Sequence, residues 1–214
     1  MDHTDISGIK IPDSALAREI TQLIRDTESD LLFHHSARVY FWGALAGKRK
    51  GLAYDPELLY AAAMFHDLGI THRYRDSPLR FEVDGANAAR DFLRGHGIST
   101  ADIEKVWLAI ALHTTPGIPE HMHPEVFLVQ EGAGMDMAGR NYDDYTDEER
   151  QAVIAAHPRG HDFGHRVIDT FYEGLKHRPA STFGTFNDDF LAFNDPAFQR
   201  GNLCSIILGS RWQR

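Results

Sequence analysis

The chain has one cysteine, Cys204, in 214 residues. An internal disulfide is therefore excluded, and so is any thiolate cage for a metal. No stretch approaches eighteen consecutive apolar residues, so no membrane-spanning helix is expected. Positive charge is in short supply: 22 Lys and Arg stand against 31 Asp and Glu, a formal net charge of -9 with a pI near 5.8. Non-specific nucleic-acid binding needs basic residues to neutralise phosphates, so a small-molecule substrate is expected instead, with neither nucleic acid nor membrane as partner. A homo-oligomer is left open. The opening MDHTDISGIK has neither the basic n-region nor the apolar h-region of a secretory leader, which makes the cytoplasm the expected compartment.

Sustained two-residue alternation is also missing, and β-branched clusters are scarce, so the fold is expected to be all-α. Neither a fixed-period repeat nor a linker rich in Gly, Pro and Ser divides the chain, and a single-domain helical bundle follows. With 43% hydrophobic and 25% charged residues the chain can fill an ordinary core. Within it, residues 1–29 are read as an N-terminal helix, 30–140 as the core that carries the chemistry, and 141–214 as helices packed on it.

Helical spacing and caps place the elements. A first helix is expected from Pro12 to Thr27, and a second from Leu31 to about Ala46, closed by Gly47. Asp55-Pro56-Glu57 is a strong start for a third, which runs to Gly69. Residues 70–82 read as loop. Helices then follow over Val83 to His96 and Ser99 to about Thr114. Another begins at Pro124, softened or interrupted by the glycines near Asp136. Thr146 and Glu149 form a capping box for a helix to about His157, and a further helix runs from Phe163, capped by Asp162, to His177. The aromatic tail from Pro179 includes Asp195-Pro196 as the start of a last helix.

Thirteen histidines are the outlying count. Three pieces have the right chemistry for a divalent ion: a histidine on the second helix (His34 or His35), the adjacent pair His66-Asp67, and Asp136. Imidazole and carboxylate together suit zinc first, with iron, manganese, cobalt or nickel as alternatives, and four ligands leave positions open to solvent. Successive helical side chains diverge by about 100° and cannot normally address one atom. The Leu68-Gly69 that follows suggests that His66 and Asp67 sit at a helix end, where an ion can lie between them.

His35-Ser36-Ala37-Arg38, Phe65-His66-Asp67-Leu68-Gly69 and the distant Asp136 in GAGMDMAG together resemble the H…HD…D pattern of the HD superfamily, over about residues 30–139. That superfamily consists of all-helical, metal-dependent phosphohydrolases and their relatives. The resemblance selects His35 over His34 and implies the ligand set His35, His66, Asp67 and Asp136 around one divalent transition-metal ion. RFEVDGANAARDFL (Arg80 to Leu93) and VWLAIALHTTPGI (Val106 to Ile118) are similar to the narrower cyanamide-hydratase-like branch. That likeness implies a hydro-lyase adding water to cyanamide or another nitrile-like compound.

In such a reaction a metal-bound water attacks an electrophilic centre. Asp67 and His113 are the candidate catalytic residues, His113 because imidazole donates and accepts protons near neutral pH. Arg38 and Thr114 are candidate substrate-binding residues. The alternatives are a phosphohydrolase acting on a nucleotide or phosphate ester, which would draw donors from Arg38, His72, Arg73, Arg75 and Arg80, and a non-catalytic ligand-binding module. A two-metal oxygenase would need His113 with His121 or His123. His161-Asp162 is read as a decoy, Glu82 and Asp84 as capping residues, and the aromatic tail as packing on the core.

Overall fold

A computed structural model describes residues 5–211, so part of the N-terminal stretch read for a leader lies outside it. Ten α-helices and short 3-10 turns make up the described residues, with no strand among them, as the missing alternation predicts. None of these helices is long and apolar enough to cross a membrane.

Helix α1 (Ala15–Thr27) is capped by Ser14, two residues later than the expected start. Its buried Leu16, Ala17, Ile20 and Ile24 face α3. Helix α2 (Asp30–Lys50) overruns Gly47 and ends on Gly51 in the left-handed conformation. Gly47 is there for contact instead, because a Cβ would meet the Tyr54 ring at 2.7 Å and Leu128 at 2.9 Å. Helix α3 (Pro56–Phe65) starts as expected, with the Asp55 carboxylate accepting from the Glu57 and Leu58 amides. Helices α4 (Phe81–Gly95) and α5 (Thr100–Leu112) pack on each other, α5 being capped by Ser99.

Helix α6 (Pro124–Ala138) passes through its glycines without a break. Glycine weakens an isolated helix, but here it permits the closest crossing in the fold. A Cβ on Gly132 would lie 2.2 Å from the Val39 carbonyl oxygen, and one on Gly43 would lie 2.5 Å from that of Leu128. Helices α2 and α6 thus touch backbone to backbone, and α3 and α5 pack with them into the main core.

Helix α7 (Asp147–Ala156) has the expected capping box from Thr146 and Glu149. Helix α8 (Phe163–Leu175) lacks the expected cap: Asp162 takes positive φ, and its carboxylate accepts from His165 Nδ1 at 2.8 Å. Helix α9 (Asp188–Asn194) ends at Asp195, so Asp195-Pro196 stops a helix instead of starting one; α10 (Leu203–Leu208) follows. Helices α8 and α9 form a second apolar cluster with Leu32, Ile70 and Phe81.

Candidate metal centre

The third helix gives way to a 3-10 turn where the HD pair sits. His66 ends α3, Asp67 adopts φ -103 and ψ 2, and Leu68–Ile70 tighten into the turn. The two side chains can therefore converge despite being adjacent. Gly69 is needed at this bend, since a Cβ there would lie 2.0 Å from the Phe81 carbonyl oxygen at the start of α4. The Arg178 guanidinium clamps the bend, donating to the Gly69 carbonyl and to Asp84.

His35, from the middle of α2, meets the pair. Its Nε2 lies 3.2 Å from His66 Nε2 and 3.4 Å from Asp67 Oδ2, and His66 Nε2 lies 3.2 Å from the same oxygen. All three residues are about 1% exposed, and one donor atom from each falls within 4.8 Å of the others. His113, at the end of α5, stands next to them with Nε2 3.6 Å from Asp67 Oδ1.

The remaining ring nitrogens are all engaged. His66 Nδ1 donates to the Ala63 carbonyl at 2.7 Å, and His113 Nδ1 to the Ile110 carbonyl at 2.6 Å. His35 Nδ1 donates to Asp136 Oδ2 at 2.7 Å. A carbonyl can only accept, so these bonds fix the proton on Nδ1 of His66 and His113; the ionised Asp136 does the same for His35. Each Nε2 is left with its lone pair directed into the centre, the arrangement by which metal-binding histidines are oriented.

Among the described residues neither Asp67 oxygen, both buried, accepts a hydrogen bond of proper geometry. Burial alone would raise this carboxyl, but the imidazoles of His66, His113 and His35 outweigh it and hold Asp67 well below the usual carboxylate range. A buried carboxylate without a donor is costly unless a cation meets it. The residues present therefore fit a divalent ion, with lone-pair nitrogens and an ionised, unbonded carboxylate as donors.

Asp136 is not brought into this set. Its Oδ2 accepts from His35 Nδ1 and from Arg38 Nη2 at 2.8 Å. Its Oδ1 accepts from Arg38 Nε at 2.8 Å, Trp42 Nε1 at 3.0 Å and Arg159 Nη1 at 3.1 Å. Burial works against its ionisation, but His35 and Arg38 prevail and hold it far below the usual range. The expected fourth ligand is instead the acceptor behind His35, on the side of the ring away from the centre. Burial likewise lowers the His35 imidazole, and its bonds to Asp136 and Asp67 more than compensate, leaving it raised.

Arg38, expected to meet substrate, is fully buried; besides Asp136 it donates to the His157 and Pro158 carbonyls. Four of its five N–H groups are thus spent within the protein. The Thr114 side chain faces the site cavity, but its hydroxyl donates to Glu82 and accepts from Arg80 at 3.2 Å. Glu82 and Asp84 are buried ion-pair members with Arg80 and Arg178, where capping was expected. His34 turns toward His157, with Nδ1 to Nδ1 3.4 Å, which leaves His35 as the residue at the centre. His121, His123 and His161 are exposed and apart from it.

A cavity of about 370 Å³ opens on His35, His66, Asp67 and His113. Its walls hold residues that the spacing of chemical motifs did not flag: Gln130 and Met137 from α6, Phe171 from α8, and Phe186 and Phe190 from the tail. The aromatic tail therefore walls the site as well as packing on the core. A polar Gln130 on the buried stripe of α6, one residue after Val129 and three before Ala133, was the available signal.

A family model described as HD domain matches residues 32–162, more than half of the chain, and the chain belongs to that family. No curated protein matches it.

Proposed function

We propose that this HD-domain protein is a metal-dependent hydrolase or hydratase that holds one divalent transition-metal ion, zinc first among the candidates, through His35, His66 and Asp67. The observation that carries the reading is the buried Asp67 carboxylate, without a hydrogen-bond donor, faced by imidazole nitrogens whose protons are fixed on the opposite side of each ring. When bound, such an ion acts as a Lewis acid and lowers the pKa of coordinated water. The rest of the chemistry belongs to the chain.

His113 Nε2, its lone pair free because Nδ1 is committed to Ile110, accepts a proton beside Asp67 and returns it to the substrate. Glu82, Arg80, Thr114 and Asn187 join in one hydrogen-bonded group that fixes the end of α5, and with it His113. The phenyl rings of Phe171 and Phe190 keep bulk water from the reacting centre.

For the substrate we propose cyanamide or another nitrile-like compound, to which the elements of water add, oxygen to carbon and hydrogens to nitrogen. The phosphate-ester reading has less in its favour. Phosphate needs charged donors near the ion. Of the donors expected for it, Arg38 and Arg80 are committed within the protein, and His72, Arg73 and Arg75 are not among the lining residues. Among the described residues Arg140 is the one Lys or Arg on the cavity wall, and it is exposed.

The test is elemental analysis of the purified protein, followed by assay of the metal-loaded form on cyanamide, simple nitriles and nucleoside monophosphates. One ion per chain and nitrile turnover are expected, both lost in Asp67→Ala. Turnover of phosphates alone would overturn the hydratase reading, and undiminished metal and activity in Asp67→Ala would overturn the site.

A further inference from the structure

The geometry points to Gln130 as the substrate-orienting residue of this cavity, and to a neutral substrate carrying a phenyl-sized or branched-alkyl group next to a hydrogen-bonding carbon–nitrogen or carbon–oxygen function. This rests on the metal reading given above and narrows it to a substrate class.

Gln130 is 3% exposed, lines the cavity, and its amide nitrogen is buried with no hydrogen-bond partner. A side-chain amide in this condition loses the interaction it would have had with water, a cost that persists only where something else supplies a partner. The terminal torsion of glutamine is broad, so the amide can turn either its N–H or its carbonyl oxygen into the space beside it. The other neutral polar side chains on the wall already have partners: Thr114 has Glu82 and Arg80, and the imidazole Nδ1 atoms have carbonyls and Asp136. Gln130 is thus the uncommitted neutral hydrogen-bonding group available to orient a ligand over the triad.

The remainder of the wall says what is attached to that group. Phe171 and Phe190 stack with centroids 4.6 Å apart and planes 28° apart, and behind the wall the buried Phe81 supports both Phe171 and His113 edge to face. Ala133, Met137 and Phe186 continue the apolar surface. A space of about 370 Å³ lies within the range that holds ligands well beyond three heavy atoms. Cyanamide would leave most of this surface uncovered, whereas an aryl or branched alkyl group covers it and gains the burial. Away from the ion, an anionic group would have only the exposed Arg140 to meet it.

The test is calorimetric binding of benzamide, acetamide and phenyl phosphate to the metal-loaded protein, which reads recognition independently of turnover. Benzamide and acetamide present the same amide with and without the apolar group. Benzamide is expected to bind roughly 10- to 100-fold more tightly than acetamide. In Gln130→Leu, close to isosteric, benzamide binding is expected to weaken roughly 3- to 10-fold with metal content unchanged. Phe190→Ala should weaken benzamide more than acetamide and so reduce the ratio of the two affinities, and Gln130→Met, which likewise removes the amide, carries the same expectation should Gln130→Leu not fold. Equal affinity for the two amides, tighter binding of phenyl phosphate, or unaltered binding in Gln130→Leu would overturn the inference. Its failure would leave one ion per chain still bound, whereas failure of the metal reading would show in the elemental analysis.

Discussion

His35 Nδ1 donates to Asp136 Oδ2 at 2.7 Å, while its Nε2 faces Asp67 Oδ2 at 3.4 Å on the other side of the ring. One imidazole thus separates two buried carboxylates of different kinds: Asp136 has five donors around it and Asp67 has none of proper geometry. The two should respond to substitution differently.

Asp136→Ala strips the partner from the buried Arg38 guanidinium and releases His35. Leaving a buried charge uncompensated costs about 3–5 kcal/mol, and loss of the acceptor behind a metal-binding histidine typically weakens the metal about 10- to 100-fold. Chemical denaturation and competition with a metal-binding dye check both. Asp67→Asn should abolish metal binding at a smaller stability cost than Asp136→Ala, because the imidazoles lose a carboxylate they favour but no donor of proper geometry is left without its acceptor.

Replacing His113 by alanine should leave the metal in place, since the mutually close donors are those of His35, His66 and Asp67. Turnover should fall by about 10²- to 10⁴-fold, the usual contribution of a positioned acid–base group. Elemental analysis alongside steady-state kinetics separates the two effects, and loss of metal in this variant would make His113 a ligand instead.

Acid should destabilise the fold through His157. Burial, with His34 and Arg38 adding to it, lowers this imidazole to about 4. Because the folded-state value lies below that of the unfolded chain, the unfolded state binds the extra proton first. Stability is intact above about pH 6.5 and falls as the pH drops toward 4, by about 3 kcal/mol in all. Urea midpoints measured between pH 7 and 4 should show this slope, and His157→Gln should flatten it.

Gly132→Ala should be destabilising although alanine is the better helix former. Its Cβ would sit 2.2 Å from the Val39 carbonyl oxygen, so α2 and α6 must separate. Overpacking of this kind costs about 1–3 kcal/mol. The shift also carries Asp136 away from His35, so thermal denaturation should show a lower midpoint together with weaker metal binding.

Much of this was legible one element at a time. Asp55-Pro56, Ser99 and the Thr146–Glu149 box mark helix starts because a cap is a local hydrogen bond between residues close in sequence. The HD pair could be placed at a helix end for a similar reason: a glycine follows, and adjacent side chains cannot converge from within a regular helix. The misread positions share a different cause. Gly47 looked like a helix stop, and the α6 glycines like breaks, because a sequence does not show the neighbouring helix that needs the missing Cβ. Glu82 and Asp84 looked like capping residues and Arg38 like a substrate contact, since Thr114, Arg178 and the His157 carbonyl, which engage them, lie 32 to 119 residues away.

The sequence by itself determined an all-α fold, the absence of any internal disulfide, and His66 and Asp67 as potential ligands at a helix end, all of which follow from residue type and short-range spacing; the resemblance to the HD superfamily added His35 over His34. Only the tertiary structure decided which carboxylate faces the centre. Asp67 and Asp136 are the same residue type with the same intrinsic chemistry; what separates them is that Arg38, Trp42 and Arg159 fold around one and the imidazole Nε2 atoms around the other. It likewise decided that Gln130 and the phenyl rings of Phe171, Phe186 and Phe190 wall a single cavity, because convergence of distant elements is a property of packing, which local sequence does not encode.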